Sequence, residues 1–191
     1  MRSTQILERE HELILKVLDC LERLAAEGQG PEGLDRESAE QALDFFRSFA
    51  DRCHHAKEEE RLFPALVAKG MPRDAGPIAV MLSEHEQGRE AVACMGRAVD
   101  DAEAQIPGAA QRFAQYAGTY VTLLREHIGK ENLVLFPMAD RILGEAQQAQ
   151  LLLEFEQAEH DLEGTGERCQ DLARVLCERW GVAWEVEPMA L

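Results

Sequence analysis

The stretch HHAKEEERLFPAL, residues 54–66, sets two imidazoles and three carboxylates directly before an apolar Leu-Phe-Pro. The same frame returns in HIGKENLVLFPMA, residues 127–139. In each, lysine follows histidine by three positions, glutamate by four and Leu-Phe-Pro by eight. His54, Lys57, Glu58, Leu62, Phe63 and Pro64 thus correspond to His127, Lys130, Glu131, Leu135, Phe136 and Pro137. On a helix, residues four apart share one face, one turn from each other. A His-x-x-x-Glu pair therefore brings a nitrogen donor and an anionic oxygen donor together, which is chemistry for holding a cation. His55 and Glu59 form a second such pair, one residue out of register. Only His54 stands eight residues before Leu-Phe-Pro, so the repeat selects its frame and makes His55 a boundary residue.

The elements that must position these groups read as helix almost throughout. Glycine and proline gather at residues 27–33, 69–77 and 106–108, with a weaker break at Gly144. The first helix is expected over Ser3 to Glu27, with Leu7, His11, Ile14, Leu18, Leu21 and Ala25 on its apolar stripe. The second starts near Asp35, a suitable N-cap, and ends near Lys69. The third opens at about Pro77 and faces inward with Ile78, Met81, His85, Gly88, Val92, Met95 and Val99. The fourth runs from Pro107 or Gly108 to Leu143, with Phe113, Tyr116, Tyr120, Leu124, His127, Glu131, Val134 and Met138 inward. Pro64 and Pro137 should kink the second and fourth helices at equivalent places, consistent with an old duplication of a helical hairpin. The expected fold is all-α: an up-down-up-down four-helix bundle over residues 1–144, with short links. Residues 145–191 form a C-terminal helical extension, weakened at Gly164 and Gly166, and an irregular tail. The extension packs on the bundle or contributes to a homodimer.

Antiparallel order tests whether the chemistry meets at one level. His11 and His85 lie about eight residues into their helices, roughly 12 Å. His54 to Glu58 and His127 to Glu131 lie about 17 to 24 Å before the ends of theirs. His11, His54, Glu58, His85, His127 and Glu131 can thus share one layer of the core. A dry core cannot hold four imidazoles and two carboxylates without strong compensation. Two divalent or trivalent cations supply it, and an imidazole–carboxylate set without thiolate suits iron, with manganese or zinc as alternatives.

The run His11, His54-x-x-x-Glu58, His85, His127-x-x-x-Glu131, with EEERLFPAL, AGPIAVMLSEHEQGR and HIGKENLVLFPMA around it, resembles the hemerythrin-like (HHE cation-binding) domain over roughly residues 3 to 143. The resemblance implies a four-helix bundle around a carboxylate-bridged, non-haem di-iron centre, with those six residues as metal ligands. It also implies dealings with dioxygen, nitric oxide or peroxide, or sensing of iron or oxygen. Oxygen carriers of the family place a second histidine four residues after the third-helix ligand; here Arg89 stands there. Four histidines leave both metals open, which favours reaction with a small oxidant or iron handling over reversible carriage. A sensing module without turnover is the alternative.

The neighbours have plainer expectations. Arg89 forms an ion pair with Glu58 or Glu59. Tyr120 and Tyr116 pack in the core with polar tips toward an access pocket. Glu10, Glu84, Glu126 and Glu159 each precede a histidine and could orient that imidazole, although 36 acidic residues make coincidence the leading explanation. His160 is solvated and Cys53 is a small core residue. A net charge of −16 disfavours nucleic acid and anionic membranes as partners. No apolar run reaches spanning length, and the charged, amphipathic start is unlike a secretory signal. Five cysteines without a CxxC pair are expected to be free thiols in a reducing cytoplasm.

Overall fold

The structure is a computed structural model that describes residues 2–162 and 164–186. It is all-α, as the periodicity predicts. Helix α1 is Ser3–Glu27. Helix α2 covers residues 36–68 and α4 covers residues 109–142, each changing pitch along its length. Helix α3 is Gly76–Glu103. Two further helices, α5 (Glu145–Asp161) and α6 (Thr165–Trp180), replace the single C-terminal helix of the sequence reading. The break falls where Gly164 adopts φ of +69°, a left-handed conformation that favours glycine. Residues 181–186 are non-helical, and the remainder of the expected irregular tail, 187–191, lies outside the described residues.

Local chemistry sets the ends. Asp35 caps α2 by accepting from the Ser38 amide at 3.3 Å and the Ser38 hydroxyl at 2.9 Å. Pro77 sits in the first turn of α3, where its missing N–H costs nothing. The four long helices run antiparallel in succession. Thr4 on α1 reaches Asp140 on α4 at 2.9 Å, while Asp19 further along α1 pairs with Arg125, earlier on α4, at 2.7 Å. Asp51 and Glu59 on α2 meet Arg89 on α3. Asp101 near the end of α3 meets Arg112 near the start of α4.

The two internal prolines do not give bare kinks. Each is preceded by a π-helical turn, Glu58–Leu62 in α2 and Glu131–Leu135 in α4. The Phe63 amide donates to Glu58, and the Phe136 amide to Glu131, each five residues back. The wider turn admits the proline, which cannot donate in any case, and shifts the register by one residue. Val134, expected inward, is therefore 48% exposed, while Leu135, Phe136 and Ala139 fill the core. A longer π-helical segment, Phe46–His55, precedes the site in α2.

The core is divided. One apolar cluster, with Leu13, Leu18, Phe45, Phe49, Phe113 and Leu124, fills the length of the bundle toward α6. A second, with Leu7, Leu62, Phe63, Ile78, Phe136 and Phe155, closes the other end, where α5 adds its buried Phe155. The chemically active side chains lie between the two.

Candidate metal centre

Each of the four long helices supplies one imidazole to the polar layer. His11, His54, His85 and His127 are each 1% exposed, and Glu58 and Glu131 are fully buried. The Nε2 atoms of His11 and His54 stand 3.0 Å apart, and those of His85 and His127 stand 3.1 Å apart. Glu131 Oε2 lies 3.1 Å from His11 Nε2 and 3.3 Å from His127 Nε2. Glu58 turns Oε2 to His85 Nε2 at 3.3 Å and Oε1 to His54 Nε2 at 3.9 Å. All six side chains predicted from the sequence thus meet in one place.

The opposite edge of each ring is fixed by an acceptor on another helix. Glu10 on α1 accepts from His54 Nδ1 on α2 at 2.8 Å, and Glu59 on α2 from His85 Nδ1 on α3 at 2.6 Å. Glu84 on α3 accepts from His127 Nδ1 on α4 at 2.9 Å, and Asn132 on α4 from His11 Nδ1 on α1 at 2.8 Å. The ring closes: every helix gives one imidazole to the layer and one acceptor to the imidazole of the next. With Nδ1 as donor, each neutral ring turns an Nε2 lone pair inward. The sequence reading gave coincidence as the leading explanation for a glutamate before each histidine, with orientation of that same histidine as the alternative. Glu10 and Glu84 instead orient histidines on neighbouring helices, because adjacent residues on a helix point about 100° apart.

The lysine of the repeated motif has a matching role. Lys57 donates to Glu10, the residue that holds His54; Lys130 donates to Glu84, which holds His127. The two copies differ in setting. Lys57 is fully buried, also binds Glu159 of α5 at 2.5 Å, and lies 5.9 Å over the Phe155 ring. Lys130 is 40% exposed. Only its fixed offset from histidine in both copies could have marked this lysine from sequence.

His55 departs from expectation. It is 4% exposed, and its ring stacks on His85 with centroids 3.8 Å apart and planes at 15°. A π-helical stretch rotates less per residue than an α-helix, so His54 and His55 both turn inward. Its own His-x-x-x-Glu pairing was the available signal, but Glu59 serves His85 instead. Two groups of donor atoms lie within 4.8 Å of one another: His55, Glu58, His85 and His127, and His11, His54, Glu58 and Glu131. Glu58 belongs to both.

The remaining neighbours resolve simply. Arg89 pairs with Asp51 at 2.8 Å, Glu59 at 2.6 Å and Glu86 at 2.5 Å, not with Glu58. It thereby steadies the carboxylate that orients His85. Tyr120 is buried and meets Phe46 edge-on at 4.8 Å; Tyr116 is partly buried. Cys53 is buried, whereas His160 and Glu126 are exposed.

The electrostatics describe a buried layer in which two facing carboxylates oppose each other's ionisation. Burial, then the facing Glu131 carboxylate, pushes Glu58 well above the usual carboxylate range. Burial opposes ionisation of Glu131 too, but His127 and His11 outweigh it and hold that group well below the usual range. His127 rises to about 9, because Glu131 and Glu84 overcome its burial. Burial lowers His54 to about 4 despite Glu10. All four oxygens of Glu58 and Glu131 find no hydrogen-bond partner among the described residues. Burial and the facing Glu131 carboxylate oppose ionisation of Glu58, and a cation between the two carboxylates reverses the sign of their interaction. Nitrogens 3.0 and 3.1 Å apart can both lie about 2.0–2.1 Å from one cation. The donor set fits metal.

Four antiparallel helices that gather imidazoles and carboxylates into one dry layer define a bundle-type cation-binding protein. The chain belongs to the hemerythrin HHE cation-binding domain family, which it matches over residues 2–139. It is 27% identical over 158 residues to the uncharacterized protein Mb2018 of Mycobacterium bovis and, to the same extent, to Rv1995 of Mycobacterium tuberculosis. Those alignments cover 81% of this chain and 60% of each relative. It is 39% identical over 89 residues to the iron–sulfur cluster repair protein YtfE of Salmonella paratyphi B, covering 45% of this chain and 40% of that protein. No solved structure matches the chain.

Proposed function

We propose that the chain is a non-haem di-iron protein that binds or reacts with a small oxidant: dioxygen, nitric oxide or peroxide. In this reading His11, His54, Glu58, His85, His127 and Glu131 are the metal ligands, and His55 stacks on His85 beside them. The observation that carries the reading is the set of four unpartnered, buried carboxylate oxygens amid inward-facing Nε2 atoms. Donors of this kind without thiolate suit iron, with manganese or zinc as alternatives. Similarity to YtfE, by name an iron–sulfur cluster repair protein, points the same way.

Bound iron supplies electrons to a reducible ligand, or a coordination position to an inert one. The chain's own groups do the rest. The closed ring of Nδ1 acceptors holds each imidazole in one tautomer. Lys57 and Lys130 keep the orienting glutamates ionised. The apolar clusters on either side exclude water and strengthen every charge interaction in the layer. Five free cysteines fit a reducing compartment, so the cytoplasm is the proposed location. Among the described residues no helix is long and apolar enough to cross a membrane.

A second reading, a metal-responsive module without turnover, has its own support in the Glu159–Lys57–Glu10–His54 chain, which ties α5 to the layer. Elemental analysis and optical spectra of protein expressed with iron test the first reading. Two irons per chain and ferric bands in the blue and near ultraviolet are expected, with Glu58→Ala and Glu131→Ala each holding less than one. Full iron content in both variants would overturn it. Metal-dependent hydrogen exchange across residues 145–179, without consumption of peroxide or nitric oxide, would favour the second.

A further inference from the structure

A cavity of about 140 Å³ opens between α2, α3 and α4, and His55 is among the residues that line it. Its walls divide by chemistry. Phe46, Val92, Ala93 and Gly88 give an apolar side; Asp51, Arg89, Tyr120 and His55 give a polar one, and the exposed Arg47 also lines the opening. The His55 Nδ1 is buried and has no hydrogen-bond partner among the described residues; Asp51 Oδ1 lies 3.6 Å away, beyond bonding range. No hydrogen bond among those residues engages the Tyr120 hydroxyl either, although the residue is 2% exposed. Unmet polar atoms in a preformed space imply a ligand that meets them.

Size narrows the class. An apolar cavity of about 150 Å³ accepts benzene, so a space of about 140 Å³ takes roughly six non-hydrogen atoms. A diatomic molecule or hydrogen peroxide would leave most of it empty. Charge narrows it further. Asp51 is already paired with Arg89 at 2.8 Å and Arg47 is exposed to solvent, which screens its charge, so the inner polar wall asks for hydrogen bonds rather than a net charge. The occupant needs a hydroxyl that donates to Asp51 or His55, an oxygen that accepts from Tyr120, and a compact hydrocarbon body.

We propose that this cavity binds a small organic hydroperoxide, its O–O–H end between His55, Asp51 and Tyr120 and its alkyl body against Phe46 and Val92. The proposal rests on the reading of the adjacent layer as a centre that meets small oxidants, and it names the oxidant class. His55 lines the cavity and also belongs to the group containing Glu58, His85 and His127, so the O–O bond would lie next to that group.

Binding is tested in the full-length, metal-free protein, so that the outcome does not depend on iron. Tert-butyl hydroperoxide, hydrogen peroxide and cyclopentane are titrated while NMR follows the Val92 methyls and the Tyr120 ring. Saturable shifts with tert-butyl hydroperoxide are expected, at least tenfold tighter than with hydrogen peroxide, which lacks the body, or cyclopentane, which lacks the head. Val92→Phe fills the cavity and should weaken binding tenfold or more. Gly88→Ala is the milder variant: its Cβ would meet Tyr120 at 3.5 Å, an ordinary contact, and should weaken binding about threefold in an intact fold. Absence of saturation, equal affinity for the three probes, or binding indifferent to both substitutions overturns the proposal. Iron content, measured separately, decides the reading of the metal layer.

Discussion

Replacing Lys57 by methionine keeps the volume of a buried side chain and removes its charge. The Lys57 side chain is 0% exposed and Glu10 is 2% exposed, so the carboxylate loses its ammonium partner in a place water does not reach. Among the described residues only His54 Nδ1 then remains on Glu10, while Glu159, 28% exposed, can turn to solvent. Removing one member of a buried ion pair costs about 3–5 kcal/mol. The internal repeat provides the control. Lys130→Met breaks the equivalent contact with Glu84, but Lys130 is 40% exposed and water can replace it, so the loss should be about 0–1 kcal/mol. Urea unfolding in the presence of chelator, followed by circular dichroism, measures both. With a slope of about 1–3 kcal/mol per molar urea, Lys57→Met should lower the midpoint by about 1 M or more, and Lys130→Met by much less. Adding Glu10→Gln to Lys57→Met should restore part of the loss, since it removes the stranded charge. Equal losses in the two lysine variants, or no recovery in the double variant, would refute the argument that burial distinguishes the two copies of the motif.

Two further outcomes follow from the same environments. Burial pushes the Glu10 carboxyl up, but the Lys57 ammonium and then His54 outweigh it and hold the group at about 2. A folded value below the unfolded one means a contribution that is whole above about 4.5 and lost as pH falls from there toward 2. The urea midpoint of the metal-free protein should therefore fall more steeply over that range than that of Glu10→Gln. Of the five thiols, only Cys94 is not buried, and Cys53 is pushed up to about 12 by burial and then by Glu10. A chromogenic disulfide at pH 8 should label one thiol rapidly in the native chain and five after denaturation.

The ligand layer was legible because it depends on α-helical periodicity and antiparallel order. The apolar stripes of α1 and α3 lie inward as expected, and the limits of the four long helices fall within a few residues of the expected ones. What escaped notice was governed by departures from that period. His55 and Val134 both changed sides because π-helical turns alter the rotation per residue, and proline announces only that a turn must differ. The orienting partners were hidden for another reason. Glu10 and Glu84 were visible as residues beside histidines, yet their partners stand on other helices, and helix phase between neighbours is a tertiary quantity. The break near Gly164 was signalled by the glycine, but periodicity alone does not separate a weak helix from two.

A repeated motif need not make two equivalent sites. His-x-x-Lys-Glu occurs twice, and in both copies histidine and lysine share one glutamate from a neighbouring helix. The difference comes from residues outside the motif. Helix α5 places Phe155 and Glu159 over Lys57, and so closes the flank that carries His54. Among the described residues the flank that carries His127 has no such cover: Lys130 reaches solvent, and His55 and His85 stack beside a cavity that opens to the surface. Any cation shared between the two groups therefore meets a sealed, charge-balanced side and an accessible, imidazole-rich side. Glu58, common to both groups, and Glu131, 3.1 Å from His11 Nε2 and 3.3 Å from His127 Nε2, are the two carboxylates placed to transmit a change on the accessible side to the sealed one.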